Sequence, residues 1–199
     1  MSGRYGGTDM SIVLASGSPR RKELLEMLDV KELRIIPAKG EEIPPEGAAP
    51  DELVMALASA KGREVAQRCE AGDVIIAADT IVWFDGKVFG KPHSREEAIG
   101  MLSALSGRAH EVYTGVSVIR DGRELKRCDT SRVFFREIAA AEMERYVDTG
   151  EPMDKAGAYG AQGRGAVFVR RIEGDFFNVM GLPLCMLCEM LKELGVEIL

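Results

Sequence analysis

The chain lacks any long hydrophobic run: none of its 199 residues belongs to a stretch near the ~18–20 apolar residues that a membrane span needs. Its first ten residues are polar and Gly-rich, and the apolar stretch 12–15 is too short for a signal-peptide core. Cysteine is sparse, with four residues at 69, 128, 185 and 188, too few for a secreted disulfide scaffold. A reduced, cytoplasmic protein without membrane association is the expectation. Histidine is sparser still, and His93 and His110 are too dispersed for a zinc site. An excess of positive charge is also missing. With 26 Lys+Arg against 32 Asp+Glu the formal net charge is −6, which argues against a nucleic-acid polymer as partner. It leaves room for a small anion held by a few local cations. Neither a P-loop nor a G-x-S-x-G elbow is present.

What is there fits a soluble globular chain: 46% apolar and 29% charged residues, with 22 scattered glycines and no repeat period. Residues 12–199 read as one domain, and 1–11 as an extension expected to be disordered. A short strand at Ile12–Ala15 leads through Ser16-Gly17-Ser18-Pro19 into a helix, with Ser18 at the N-cap and Pro19 in the first turn. A second strand is read at 31–36 and a helix from Asp51. Val74 to Phe84 is continuous and β-branched, as a strand buried on both faces should be. Asp85-Gly86 and Asp121-Gly122 mark hairpin turns, the second joining Glu111–Arg120 to Glu124–Phe135. Ser94 with Glu97 forms a capping box for a helix to about Leu105. Another helix covers Ala140 to Val147, a strand Val167 to Ile172, and a last helix Pro183 to Leu194, with Cys185 and Cys188 read as core residues. Strands alternating with helices, interrupted by hairpins, give an α/β fold with a mixed twisted sheet.

Four segments carry chemistry-bearing residues without an ordinary structural role. Arg20, Arg21 and Lys22 sit in the first turn of a helix, where the macrodipole already presents positive charge. A bound anion would account for them, taking Ser16, the backbone N–H groups and the guanidinium together; a solvated basic patch is the alternative. Asp79-Thr80 interrupts the most apolar strand. A carboxylate there would work as a base or metal ligand at a cleft, or else would bond to a turn. Lys61 and Lys91 are ordinary surface lysines unless an anion gathers them. The tract 151–165 crowds small residues around Tyr159 and Gln162. Its glycines would let backbone approach a ligand closely, and Gln162 could read the edge of a base; a plain flexible loop is the alternative. His110, just before a strand, is assigned a structural hydrogen bond.

In series, Leu14-Ala15-Ser16-Gly17-Ser18-Pro19-Arg20-Arg21-Lys22-Glu23-Leu24-Leu25, Ala78-Asp79-Thr80, Gly90-Lys91-Pro92, Leu105-Ser106-Gly107-Arg108-Ala109-His110, Tyr113-Thr114-Gly115-Val116, Glu151 to Gly165, and Asn178-Val179-Met180-Gly181-Leu182-Pro183-Leu184 resemble the Maf-like nucleoside triphosphate pyrophosphatase family. The resemblance runs from about Ile12 to Leu194. It implies a Maf/ITPase-like α/β fold with two lobes around a deep cleft, a homodimer, and hydrolysis of a nucleoside triphosphate to the monophosphate and pyrophosphate with a divalent cation, Mg or Mn. The tract 154–163 is similar to the branch acting on dTTP and UTP. The resemblance puts the catalytic carboxylate on Asp79 and specificity positions on Arg20, Thr80 and Gln162. Ser16, Arg20, Arg21, Lys61 and Lys91 are then expected to hold the triphosphate. Glu41 would join Asp79 on the metal, although Lys39 and Gly40 depart from the family pattern and leave Glu41 and Glu42 both open. Turnover of modified or noncanonical nucleotides, and a nucleotide-binding role in regulating septum formation, are the alternatives.

Overall fold

The computed structural model describes residues 11–30, 32–41 and 43–198. The extension read before Ile12 lies outside these apart from Ser11, and so does Glu42. In chain order the elements are β1 (Ile12–Leu14), α1 (Pro19–Met27), β2 (Leu33–Ile35), α2 (Pro50–Ala66), β3 (Val74–Phe84), β4 (Lys87–Phe89), α3 (Arg95–Leu105), β5 (Ala109–Arg120), β6 (Arg123–Phe135), α4 (Ala140–Val147), β7 (Val169–Glu173), α5 (Phe176–Met180) and α6 (Leu184–Glu193). Three short 3₁₀ segments, Glu151–Asp154, Ala156–Ala158 and Arg164–Phe168, lie between α4 and β7.

The strands form one mixed sheet in the order β2-β1-β3-β5-β6-β7, with β4 paired to β3 off this path. Both hairpin turns are of the expected kind. Asp85 and Gly86 have φ of 48° and 76°, Asp121 and Gly122 of 49° and 77°, the two positive values that a two-residue turn requires to match strand twist. Ser94 caps α3 by accepting from the Glu97 N–H at 3.1 Å. By contrast, Ser18 occupies the N-cap of α1 without a side-chain cap bond. Two readings need correction. Val167 and Phe168 belong to a 3₁₀ segment, and β7 starts at Val169; the Val167 and Phe168 carbonyls accept from Arg136, just beyond the end of β6, so they have no ladder partner on that strand. Cys185, read as core, is exposed on the outer side of α6, and Cys188 is half-buried.

β3 organises the molecule. One edge pairs antiparallel with β5 from Val74↔Arg120 to Trp83↔Glu111. The other edge pairs with β1 over Val74–Ile76 and with β4 over Val82–Phe84. Among the described residues, no strand pairs with 77–81 on that side. Side chains alternate between faces along a strand, and the two faces of β3 have different covers. Ile75 and Ala77 pack with Val65 of α2, whereas Val74, Ile76 and Ala78 join Leu24 and Leu25 of α1 and Leu187, Met190 and Leu191 of α6. Beyond them a separate cluster gathers Leu102 and Leu105 of α3, Met143 and Tyr146 of α4, and Phe168. Two packed regions thus flank a stretch of β3 open along one edge.

Helix α2 can lie close to the sheet because β5 has a glycine beneath it. A Cβ on Gly115 would overlap the Val54 carbonyl. Gly115 is the cross-strand partner of Asp79, and Lys61 follows Val54 by two helical turns on the same face.

Candidate active site

The open edge of β3 is the floor of a cavity of about 730 Å³. β1 ends at Leu14, the chain turns away through Ala15 and Ser16, and the space so left exposes Asp79 and Thr80. Ligand crevices beyond the carboxyl ends of strands, where neighbours diverge, are the usual outcome of such topology. Ser16, Arg20, Arg21, Lys61, Asp79, Thr80, Lys91 and Gln162 all line it. Glu41 is exposed and is not among the lining residues. Among the described residues no group of three or more His, Cys, Asp or Glu side chains assembles to hold a metal.

The cavity is basic in an acidic chain. Arg20, Arg21, Lys61, Lys91 and Lys155 line it against two carboxylates, Asp79 and Asp154. Asp79 is buried, and its Oδ1 lies 2.5 Å from Lys61 Nζ on α2. Asp154 Oδ2 accepts from Arg20 at 3.1 Å while its Oδ1 accepts from Lys155 at 2.6 Å. Burial raises the Asp154 pKa, but the hydrogen bond and charge of Lys155, with those of Arg20, outweigh it and hold the carboxyl below its usual range. The first turn of α1 contains no acidic residue, so its N-terminal dipole and Arg20 both favour an anion in the cavity.

Arg21 braces the protein as well as lining the cavity. Its Nε donates to the Gly181 carbonyl at 2.8 Å, Nη1 to Ser16 Oγ at 3.1 Å and Nη2 to Thr80 Oγ1 at 3.0 Å. It holds the loop after β1, the open edge of β3 and the turn after α5 against one another.

The glycines of 151–165 admit close packing of protein groups. A Cβ on Gly157 would meet Val82, one on Gly160 the Lys155 side chain, one on Gly163 the Glu151 carboxylate, and one on Gly165 the Tyr146 hydroxyl. Gly157, Gly163 and Gly165 are packed by protein groups, while Gly160 also lines the cavity. At their centre is Glu151, which accepts from the Tyr146 hydroxyl at 3.0 Å and from the N–H groups of Arg164 and Gly165. Burial raises the Glu151 pKa; those backbone donors, Tyr146 and the Lys155 charge more than reverse it, and the net shift is downward. Glu151 therefore holds the loop that carries the exposed Gln162. Sequence reasoning gives Glu151, Asp154 and Lys155 no role of their own; a run of glycines beside a carboxylate is the sign that could have found them.

His110 has the structural bond assigned to it. Nε2 lies 2.8 Å from the Tyr159 hydroxyl, and the ring stacks edge-on against Phe135. Burial pushes its pKa down to about 3, so the ring is neutral at ordinary pH.

Comparisons with known proteins agree with this architecture. A match to the family described as "Maf-like protein" spans residues 11–194. A protein of Pelotomaculum thermopropionicum named "dTTP/UTP pyrophosphatase" is 48% identical, covering 94% of this chain and 98% of that one. Proteins of the same name from Bacillus velezensis and Methanosarcina barkeri are each 46% identical over 94% of this chain, and over 97% and 95% of their own lengths. Among solved structures, a HAM1 protein from Coxiella burnetii is similar in fold, with a TM-score of 0.52 at 20% identity, covering 92% of this chain and 99% of that one. With the family matched across almost the whole length, including every segment around the cavity, the chain belongs to the Maf-like protein family.

Proposed function

We propose that the chain is a nucleoside triphosphate pyrophosphatase that converts dTTP and UTP to the nucleoside monophosphate and pyrophosphate. The observation that carries this reading is the buried Asp79 on the open edge of β3, facing a cavity with five cationic side chains. The names of the 46–48% identical relatives support the substrate pair.

Water attacks the α-phosphorus, an oxygen–phosphorus bond forms, and the bond from that phosphorus to the bridging oxygen breaks. Pyrophosphate leaves with the bridging oxygen, and Asp79 takes the proton lost by the water. Lys61 orients the Asp79 carboxylate. Arg20, Lys91 and Lys155 neutralise the charge that accumulates on the leaving pyrophosphate, which is where most of the acceleration in phosphoryl chemistry originates. Arg20 and Lys155 exchange Asp154 for phosphate oxygens as substrate enters. Ser16 and the first turn of α1 contribute hydroxyl and N–H donors, and Thr80 and Gln162 face the nucleoside.

A divalent cation fits this donor set only in company with substrate. Magnesium-type ions keep several waters and take one or two carboxylates together with phosphate oxygens; Asp79, the buried carboxylate of the cavity, would hold the ion in place of acting as base. Such an ion, Mg or Mn, would supply charge neutralisation at the phosphates. Four free cysteines favour a reducing, cytoplasmic location, and no helix among the described residues is long and apolar enough to cross a membrane. The homodimer rests on the resemblance alone and is decided by light scattering.

Pyrophosphate release from a panel of nucleoside triphosphates with Mg or Mn tests the proposal. Preference for dTTP and UTP is expected; absence of turnover with every triphosphate would overturn it.

A further inference from the structure

Thr80 and Thr114 are direct cross-strand partners on β3 and β5, and their hydroxyl oxygens lie 3.0 Å apart, with either able to donate. Their surroundings remove the ambiguity. Thr114 is wholly buried, and its hydroxyl lies 2.9 Å from the Asn178 carbonyl, which can only accept. A hydroxyl has one proton, so Thr114 gives its own to Asn178 and receives the one from Thr80. Arg21 Nη2 donates to the same Thr80 oxygen at 3.0 Å. Asn178 cannot move to relax this order. It is fully buried in α5, and its Nδ2 donates to the Val112 carbonyl and to Ser131 Oγ, both at 3.0 Å.

Thr80 thus has its proton committed, one lone pair occupied by Arg21, and one lone pair remaining. That lone pair is approachable because residue 181 has no side chain: a Cβ on Gly181 would stand 3.2 Å from Thr80 Oγ1. Toward the cavity, Thr80 is an acceptor and not a donor.

We infer that Thr114 is a specificity-determining positioning residue, which fixes the polarity of the Thr80 hydroxyl so that it selects a base with an imide N–H. The inference rests on the proposed triphosphate reading and deepens it. Uracil and thymine share the imide N–H at N3 and differ only by a methyl group, so one acceptor serves both. Cytosine places an acceptor lone pair at N3, which faces the Thr80 lone pair and is repelled. A site built to hydrogen-bond a donor rejects the analogue lacking it, because its own buried polar group is left unpaired.

Thr114→Val keeps the side-chain shape, removes the hydroxyl, and frees the Thr80 proton to turn toward the cavity. The kcat/KM ratio of CTP to UTP is expected to rise about tenfold or more, the equivalent of one neutral hydrogen bond, and Thr114→Ser is expected to restore it. A folded Thr114→Val protein whose ratio stays within twofold of the parent overturns the inference, since a merely structural Thr114 would slow both substrates alike. Should Thr114→Val fail to fold, Thr114→Cys, whose thiol is a weak donor, makes the same comparison. The ratio of equilibrium affinities for nonhydrolysable CTP and UTP analogues is measured in parallel. It decides the inference even if the chain turns over neither nucleotide, so failure of the proposed activity and failure of this assignment remain distinguishable.

Discussion

Lys61 Nζ lies 2.5 Å from Asp79 Oδ1, joining the middle of α2 to the unpaired edge of β3. Both side chains are largely buried, at 17% and 12% exposed. A buried carboxylate without its partner is strongly disfavoured, so the pair places the negative charge where a cavity of cations converges. If Asp79 takes the proton of the attacking water, Asp79→Asn lowers kcat by about 10²–10⁴-fold and leaves triphosphate affinity within about threefold. Lys61→Gln keeps the base but loosens its orientation, and lowers activity by about 10–100-fold. Single-turnover pyrophosphate release and equilibrium titration separate the two effects. An Asp79→Asn protein with undiminished turnover removes Asp79 from the mechanism.

Asp154 competes with substrate for the same cations. Its carboxylate is bonded to Arg20 and Lys155, and triphosphate must displace it. Because the Asp154 side chain is 58% exposed, solvent screens the competition and its effect is modest. Asp154→Asn is expected to lower KM by about two- to fivefold with little change in kcat, and to weaken the dependence of KM on ionic strength. Steady-state kinetics at two salt concentrations check this, and a raised KM would mean that Asp154 positions Arg20 instead of opposing the phosphates.

Most of the sheet is legible in the amino-acid sequence. The continuous apolar, β-branched run Val74 to Phe84 marks a strand covered on both faces, and the Asp-Gly pairs at 85–86 and 121–122 mark tight turns. Local chemistry decides such elements. The five-residue α5 and the 3₁₀ segment Arg164–Phe168 are not legible, because long-range contacts hold them: Asn178 bonds to β5 and β6, and Arg136 to the Val167 and Phe168 carbonyls. The same division applies to the site. Lys61 reads as an ordinary surface lysine, whereas Arg20, Arg21, Asp79, Thr80 and Gln162 stand out as residue types without a local reason. Their partners do not. Arg21 bonds across 59 and 160 residues of chain, and only those contacts show that it braces Thr80. The small residues of 151–165 signal close approach of backbone, but not what approaches it: Val82 at Gly157, Lys155 at Gly160, Glu151 at Gly163 and Tyr146 at Gly165.

Gly115 permits the close approach of α2 that brings Lys61 to Asp79. A methyl group there would overlap the Val54 carbonyl and stand 2.6 Å from Met55 N, both rigid backbone. Gly115→Ala must push the helix outward, and overpacking of this kind typically costs about 1–3 kcal/mol. Displacement of α2 also lengthens the Lys61–Asp79 contact, so activity falls further than stability explains. Urea denaturation together with kcat at a temperature where both proteins are folded makes the comparison. Full activity per folded molecule would show that α2 position is not what sets the pair.

His110 makes the stability of the fold sensitive to pH in a defined window. Its pKa falls from 6.5 to about 3 because burial disfavours the imidazolium. Between those values the unfolded chain binds a proton that the native chain does not, so stability rises with pH. The stabilisation is complete above pH 6.5 and is lost progressively as pH falls toward 3, at about 1.4 kcal/mol per pH unit for one proton. His110→Gln has no titrating group there. The carboxylates common to both proteins contribute equally and cancel in the difference. From pH 7 to pH 5 the parent should therefore lose about 2 kcal/mol more than His110→Gln, read from urea unfolding at each pH. Parallel losses in the two proteins would mean that the buried imidazole acquires a proton without unfolding, and that the Tyr159 bond and the aromatic cage around it do not exclude the charge.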